Sequence, residues 1–280
     1  MPGKLVLCAT PIGNLADASP RLRAALAAAD VVYCEDTRRS GKLLAALGVH
    51  NRLRSYFVAN EEARAAELAD HLLAGETVVL ITDAGMPAVA DPGLTAVRAA
   101  IEAGAEVLVV PGPSAVTAAI AVSGLPSERF VFEGFLPRKQ EQRRARLEEV
   151  AAEPRTMVFF VAAARAGREL AELAGVCGPD RPAVVARELT KLHEETWRGT
   201  LGEAATRFLT TPPKGELTLV VAGAPPVEGD LPRAVETVAR LVEGGTRFSE
   251  AVKQAADAHA VRRRALYEAA RRRLDALSES

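Results

Sequence analysis

Leu5-Val6-Leu7-Cys8-Ala9-Thr10-Pro11-Ile12-Gly13-Asn14-Leu15 is a short apolar run that breaks into a loop, and Ser19-Pro20 follows shortly after. An apolar run without polar alternation predicts a strand buried on both faces over 5–9. Ser19 as N-cap and Pro20 at the first helical position predict a helix over 20–28. The same unit recurs. Residues 31–35, 77–81 and 106–110 read as further strands, and 38–47, 61–74, 94–102 and 115–122 as helices. Buried strands separated by helices imply a mainly parallel sheet covered on both sides.

Gly124-Leu125-Pro126-Ser127 then punctuates the chain and a second series begins. Strands are expected at 130–133, 156–161, 183–186, 196–198 and 216–222, with helices at 140–151, 165–174 and 203–209. Strand follows strand more often here, which predicts a mixed sheet. Residues 224–230 are a linker by composition, and 231–243, 249–258 and 261–277 read as three appended helices. The expected organisation is an N-terminal α/β domain over 1–113, a second α/β domain over 114–224 and a helical extension over 231–280.

Composition narrows the functional classes. At 280 residues the chain is too long for one small domain, and 49% hydrophobic with 25% charged residues excludes a disordered chain or a coiled coil. Lys and Arg number 35 against 36 Asp and Glu, so any grip on nucleic acid must come from local patches. Cys8, Cys34 and Cys177 are an odd number without Cys-x-x-Cys spacing, which argues against a disulfide framework or a zinc site and fits a reducing cytosol. His50, His71, His193 and His259 share no metal-like spacing, so no metal is expected. No apolar run reaches membrane-spanning length and no secretory signal opens the chain, so a cytoplasmic protein without a membrane is expected.

In a parallel sheet, ligands bind where the carboxyl ends of strands meet their loops. Four such loops stand out: 10–15; Glu35-Asp36-Thr37-Arg38; Thr82-Asp83-Ala84-Gly85-Met86-Pro87 continuing to Asp91-Pro92-Gly93; and Pro111-Gly112-Pro113-Ser114-Ala115. Glycines let backbone approach a ligand, and prolines stiffen the loop so that little entropy is lost on binding. Neither G-x-x-x-x-G-K-[ST] nor G-x-G-x-x-G is present, and Arg38 and Arg39 are too few to hold a triphosphate. Prolines, small residues and a few carboxylates suit a cationic or neutral ligand with an adenosine-like body. S-adenosylmethionine, with its positive sulfonium and ammonium, qualifies. Taken singly, each loop is equally consistent with residues that only shape a tight turn.

These loops, in order and spacing, resemble the ribosomal RNA small subunit methyltransferase I family of the tetrapyrrole methylase superfamily. So do Phe132-Glu133-Gly134-Phe135-Leu136-Pro137-Arg138-Lys139, Ala186-Arg187-Glu188-Leu189-Thr190-Lys191 and Lys214-Gly215-Glu216. The resemblance implies S-adenosylmethionine-dependent 2′-O-methylation of a cytidine ribose in 16S ribosomal RNA, on naked RNA or the small ribosomal subunit. It implies two α/β domains of the tetrapyrrole methylase type with the ligand cleft between them, a small C-terminal helical extension, and a homodimer. Cofactor contacts are implied for Thr10, Pro11, Gly13, Asp83, Gly85, Met86, Pro87, Ser114 and Ala115, and by position for Phe160, Ala186 and Arg187. This chain departs from the family pattern at Met86, where Thr is usual. It departs again at Val161-Ala162-Ala163-Ala164-Arg165, where a Glu-Ser-Pro-His-Arg run is usual.

Methyl transfer to a ribose hydroxyl requires alignment and removal of the hydroxyl proton. Lys191 or a carboxylate of the Glu35-Asp36 pair is the candidate for that proton, with Arg38 placing a phosphate. Glu35-Asp36-Thr37-Arg38 reads equally well as a cap with acids at a helix start. Arg138, Lys139, Arg143 and Arg144 form a basic cluster expected to contact RNA, although a charge run is usually a solvated face. Arg262-Arg263-Arg264 and Arg271-Arg272-Arg273 form a second cluster whose role stays open. Tyr56 and Trp197 are aromatics that either stack on a base or pack in the core, Trp197 favouring the core. Two rival readings remain: a relative that methylates a small acceptor such as a tetrapyrrole, and a cofactor- or RNA-binding relative with lost turnover, suggested by the alanine run.

Overall fold

Apolar strands and short amphipathic helices alternate through the first part of the chain and set its layers. The computed structural model describes residues 2–225 and 230–278, which divide into two compact units after Ala224. Of the expected linker, residues 226–229 lie outside the described residues. The larger unit opens with β1 (Lys4–Cys8), α1 (Pro20–Ala28), β2 (Val31–Cys34), α2 (Thr37–Ala46) and β3 (Leu53–Ser55). It continues with α3 (Glu61–Leu73), β4 (Thr77–Ile81), α4 (Leu94–Glu102) and β5 (Glu106–Val110). The strands form one five-stranded sheet in the order β3-β2-β4-β1-β5, every pairing parallel. Ser19 caps α1 as its sequence predicts, its hydroxyl accepting from the Leu22 amide at 3.0 Å. The short strand β3 is absent from the sequence-based expectation because Leu53-Arg54-Ser55 carries no apolar run.

α5 (Ala115–Ser123) follows β5 but leaves the first sheet. Its Val116, Ala119 and Ile120 pack with Val158, Val184 and Val220 of the second sheet. β5 therefore stays thinly covered, with Leu108 and Val109 exposed, where cover on both faces was expected.

The second half runs β6 (Phe130–Phe135), α6 (Gln140–Ala151), β7 (Thr156–Ala162), α7 (Ala166–Cys177), β8 (Pro182–Arg187), β9 (Glu195–Thr200), α8 (Leu201–Thr210) and β10 (Glu216–Val221). Its sheet has the order β6-β7-β10-β8-β9 and is mixed: β6 and β7 are parallel, and the other pairings are antiparallel. The face opposite α5 carries the larger core, with Phe159, Leu170, Leu173, Phe208 and Leu219 among its members.

The smaller unit holds α9 (Leu231–Glu243), α10 (Phe248–Ala258) and α11 (Arg263–Ser278). Ala234, Val238, Ala251, Ala255 and Leu266 form its own core. Asp230 caps α9 by accepting from the Arg233 amide at 3.0 Å.

Candidate functional site

Register in the second sheet creates the floor of a cavity of about 430 Å³ within the larger unit. Val158, Val220 and Val184 lie under α5. Two residues along, Thr218 pairs with Phe160 on one side and Ala186 on the other, so these three side chains share the same face. They line the cavity beside Ser114 and Ala115 at the start of α5. The opposite wall comes from loops at the carboxyl ends of the parallel strands: Ile12, Glu35, Arg39, 83–86 and Asp91. The volume lies within the roughly 300–1,000 Å³ typical of small-molecule sites.

Two loops of that wall are tied together. Thr10 and Gly85 exchange both backbone hydrogen bonds, at 2.9 and 3.1 Å, and the Thr10 hydroxyl donates to the Thr82 carbonyl at 3.0 Å. Thr10 thus organises the site from within, buried, without lining the cavity. Farther along the third loop, Ala88 and Ala90 adopt left-handed backbone (φ 66° and 62°) on either side of Val89. Such backbone costs a residue with a β-carbon on the order of 1 kcal/mol or more and is a feature of functional loops.

Three carboxylates gather at this wall. Asp83 pairs with Arg39 at 3.0 Å and accepts from the Asp36 amide at 3.2 Å. Burial, reinforced by the charge of Asp83, pushes the Glu35 carboxyl up from its ordinary range. Burial and the nearby Glu35 raise Asp91 to about 6. Asp36 behaves oppositely: hydrogen bonds from Arg38 hold it down at about 2, and it caps α2 through the Arg38 amide at 2.8 Å.

Lys191 belongs to a different arrangement. Its ammonium donates to Glu188 at 2.8 Å and Glu216 at 2.9 Å. Burial alone would lower its pKa, but the hydrogen bonds to the two carboxylates outweigh it and the net shift is upward. A cation held this way is a poor proton acceptor, which corrects the expectation of a base at Lys191. Its aliphatic stem instead covers Gly13, where any β-carbon would collide with it. Glu188 and Thr190, both with positive φ (51° and 67°), shape the turn that presents it.

The basic cluster on α6 also divides. Arg143 is 7% exposed; its guanidinium meets Glu172 at 2.8 Å and donates to the carbonyls of Pro137 and Arg138. It is a strut between α6 and α7 and almost fully buried, so Arg143, contrary to expectation, is not presented to RNA. Arg144 is exposed and pairs with Glu148 at 3.0 Å, whereas Arg138 and Lys139 are exposed without a salt bridge among the described residues. Tyr56 is 1% exposed and bonded to Thr95, and Trp197 packs on the second core under Arg207, so both aromatics serve packing.

Of the residues singled out from sequence, Glu35, Asp83, Gly85, Met86, Ser114, Ala115, Phe160 and Ala186 meet at the cavity. Pro11, Gly13, Pro87, Arg187, Asp36, Arg38 and Lys191 stand outside its lining. Arg187 pairs with Glu195 at 3.0 Å. The lining adds Arg39, Asp91, Phe135 and Thr218, which sequence reasoning did not assign. Asp91 carried a signal in Asp91-Pro92-Gly93, and Phe135 one in its place just before Arg138 and Lys139. At the departure from the family pattern, Val161 and Ala162 line the cavity, and the Val161 side chain is buried in the second-sheet core.

Comparison with known proteins identifies the family and the fold. Residues 4–205 match the family model Tetrapyrrole (Corrin/Porphyrin) Methylases. The chain is 48% identical over 270 residues to ribosomal RNA small subunit methyltransferase I of Mycobacterium tuberculosis (strain CDC 1551 / Oshkosh), covering 95% of this chain and 94% of that one. It is 43% identical over 277 residues to the protein of that name from Xylella fastidiosa (strain Temecula1 / ATCC 700964), covering 95% and 98%. Among solved structures, uroporphyrin-III C-methyl transferase of Thermus thermophilus complexed with S-adenyl homocysteine superposes with a TM-score of 0.56 at 22% identity. That match covers 79% of this chain and 97% of that chain, and shows a shared fold.

Proposed function

This chain belongs to the ribosomal RNA small subunit methyltransferase I family, and we propose that it methylates the 2′-hydroxyl of a cytidine ribose in 16S ribosomal RNA. It is an S-adenosylmethionine-dependent methyltransferase of small-subunit ribosomal RNA. The observation that carries it is the cavity itself. An apolar row built on Phe160 and Ala186 faces a wall bearing Glu35, Asp83 and Asp91. That combination fits S-adenosylmethionine, whose adenosine body favours apolar contact and whose sulfonium and ammonium favour nearby carboxylates.

Bound S-adenosylmethionine supplies a methyl carbon activated by a sulfonium leaving group. The protein's work is then to align the acceptor and take its proton as the carbon–oxygen bond forms and the carbon–sulfur bond breaks. We assign the proton to Glu35. Its raised pKa makes it a stronger base than an ordinary carboxylate, and it lines the cavity. Asp36 is too acidic and too occupied with Arg38 for the task. Lys191 acts as a positioning residue, holding the 188–191 turn over the first loop at Gly13. Arg38 is exposed but bidentate with Asp36, so placing a phosphate requires it to exchange that carboxylate for the phosphate.

The assembled reading includes a homodimer in the cytoplasm. It is supported by exposed apolar side chains on the adjoining α4 and β5, Leu94, Ile101, Leu108 and Val109. Among the described residues no helix is long and apolar enough to cross a membrane. Sedimentation at micromolar concentration is expected to give twice the 29.6 kDa chain mass, and a monomer mass removes the dimer from the reading.

The decisive experiment is transfer of labelled methyl from S-adenosylmethionine to small ribosomal subunits lacking the modification, followed by nuclease mapping. Label on a cytidine ribose is the expected result. Label on a base, or none despite cofactor binding by calorimetry, rejects the ribose assignment.

A further inference from the structure

Three phenyl rings mark the second-sheet side of the cavity. Phe132 and Phe160 meet edge to face with centroids 5.0 Å apart, and Phe135 tilts onto Phe160 at 5.5 Å. Phe132 and Phe135 are an odd number of residues apart, so a regular strand would send them to opposite faces. The register between β6 and β7 shifts between Phe132 and Gly134, and Gly134 has φ +65°. The bulge supplies the extra residue that brings Phe135 opposite Phe160.

What the bulge achieves is unusual for a phenylalanine. Phe135 lines the cavity yet remains 52% exposed. The other half-open aromatics among the described residues, Phe57, Phe130 and Tyr267, are not part of the lining. β6 is the edge strand, so Phe135 stands outboard of Phe160 at the cavity mouth. Arg138 and Lys139 follow a few residues later, exposed and without a salt bridge among the described residues, while Arg143, Arg144 and Arg146 are all paired.

An open aromatic face followed within four residues by exposed cations suits a site that stacks an unpaired base and holds its phosphates. We propose that Phe135 stacks on the base of the target nucleotide, with Arg138 and Lys139 on the flanking phosphates. The proposal rests on the ribosomal RNA reading and adds its substrate-recognition residue. Stacking holds the ribose at the mouth, so its 2′-hydroxyl can turn inward toward Glu35. Phe160, on the floor, is left to the cofactor.

The test uses the full chain with F135A, F135L and F135Y, measuring KM for small-subunit RNA, kcat, and S-adenosylmethionine affinity by calorimetry. F135A is expected to raise the RNA KM about 5- to 150-fold, the range of one lost stacked base. Its cofactor affinity should stay within about twofold of wild type, which also reports that the variant is folded. F135Y, which keeps the ring, should restore KM, and F135L, which keeps only apolar bulk, should not. An RNA KM near wild type in F135A, or full rescue by F135L, overturns stacking. Cofactor affinity that falls in step with the RNA KM would move the ring to the cofactor and overturn it as well. Wild-type enzyme that labels no small-subunit RNA would instead sink the parent reading, and the stacked base with it.

Discussion

Glu35 and Asp91 are titratable groups whose surroundings oppose their charge, and each makes a testable demand. If Glu35 takes the hydroxyl proton, Glu35→Gln should slow single-turnover methylation by about 100-fold or more, the usual share of a general base. Cofactor affinity should fall far less than the rate, because Asp83 and Asp91 still face the cavity, and the wild-type rate should fall on acidification above the ordinary carboxylate range, following the raised pKa. Single-turnover rates within a few-fold of wild type would exonerate Glu35. Asp91 makes its demand on stability. Its folded pKa of about 6 lies above the ~3.9 of an unfolded chain, so the native state holds the proton more tightly. Its contribution is therefore favourable at low pH and is lost as pH rises from about 4 through 6. Asp91→Asn should raise the urea midpoint relative to wild type at pH 7.5, and that advantage should vanish near pH 4. Equal midpoints at both values would contradict a desolvated Asp91.

At the scale of the element, α6 shows how one basic stretch serves two purposes. Arg143 is enclosed by Glu172 and two carbonyls, whereas Arg144 reaches an exposed Glu148 across one helical turn. Removing one partner of a fully buried pair costs about 3–5 kcal/mol, and an exposed pair contributes about 0–1. Glu172 is partly exposed, so Arg143→Leu should cost an intermediate ~1–3 kcal/mol, read from urea unfolding. Arg144→Leu should stay within ~0.5 kcal/mol. Indistinguishable costs would mean that Arg143 is not the strut it resembles. Nothing local in Arg138-Lys139 to Arg146 separates these fates, because the partner of Arg143 lies on α7. The bulge in β6 is the same kind of case. A period-two reading of Phe130–Phe135 puts Phe132 and Phe135 on opposite faces, and only the pairing with β7 reveals the extra residue.

For the molecule as a whole, every residue lining the cavity belongs to the larger unit, and the smaller unit has a core of its own. Residues 1–224 alone should therefore bind S-adenosylmethionine within about threefold of the full chain, as measured by calorimetry. Loss of binding on truncation would show that the helical unit supports the site. The chain's near-neutral total charge also means that phosphate contacts must come from local groups such as Arg138 and Lys139.

Apart from the short strand β3, the alternating β and α units, the parallel first sheet, the mixed second sheet and the three closing helices were legible in the sequence. They follow from apolar period, capping residues and turn chemistry, which act over a few neighbours. The loop positions of Glu35, Asp83, Gly85 and Ser114 were legible for the same reason, since strand ends predict where a parallel sheet gathers ligands. Tertiary structure alone decided the rest. It sent α5 to the second sheet, turned Thr10 into a tie to Gly85, engaged Lys191 with two carboxylates and aligned Phe160, Thr218 and Ala186 as a floor. Each of these depends on partners far apart in the chain, whose desolvation, charge and register exist only once the sheets have formed.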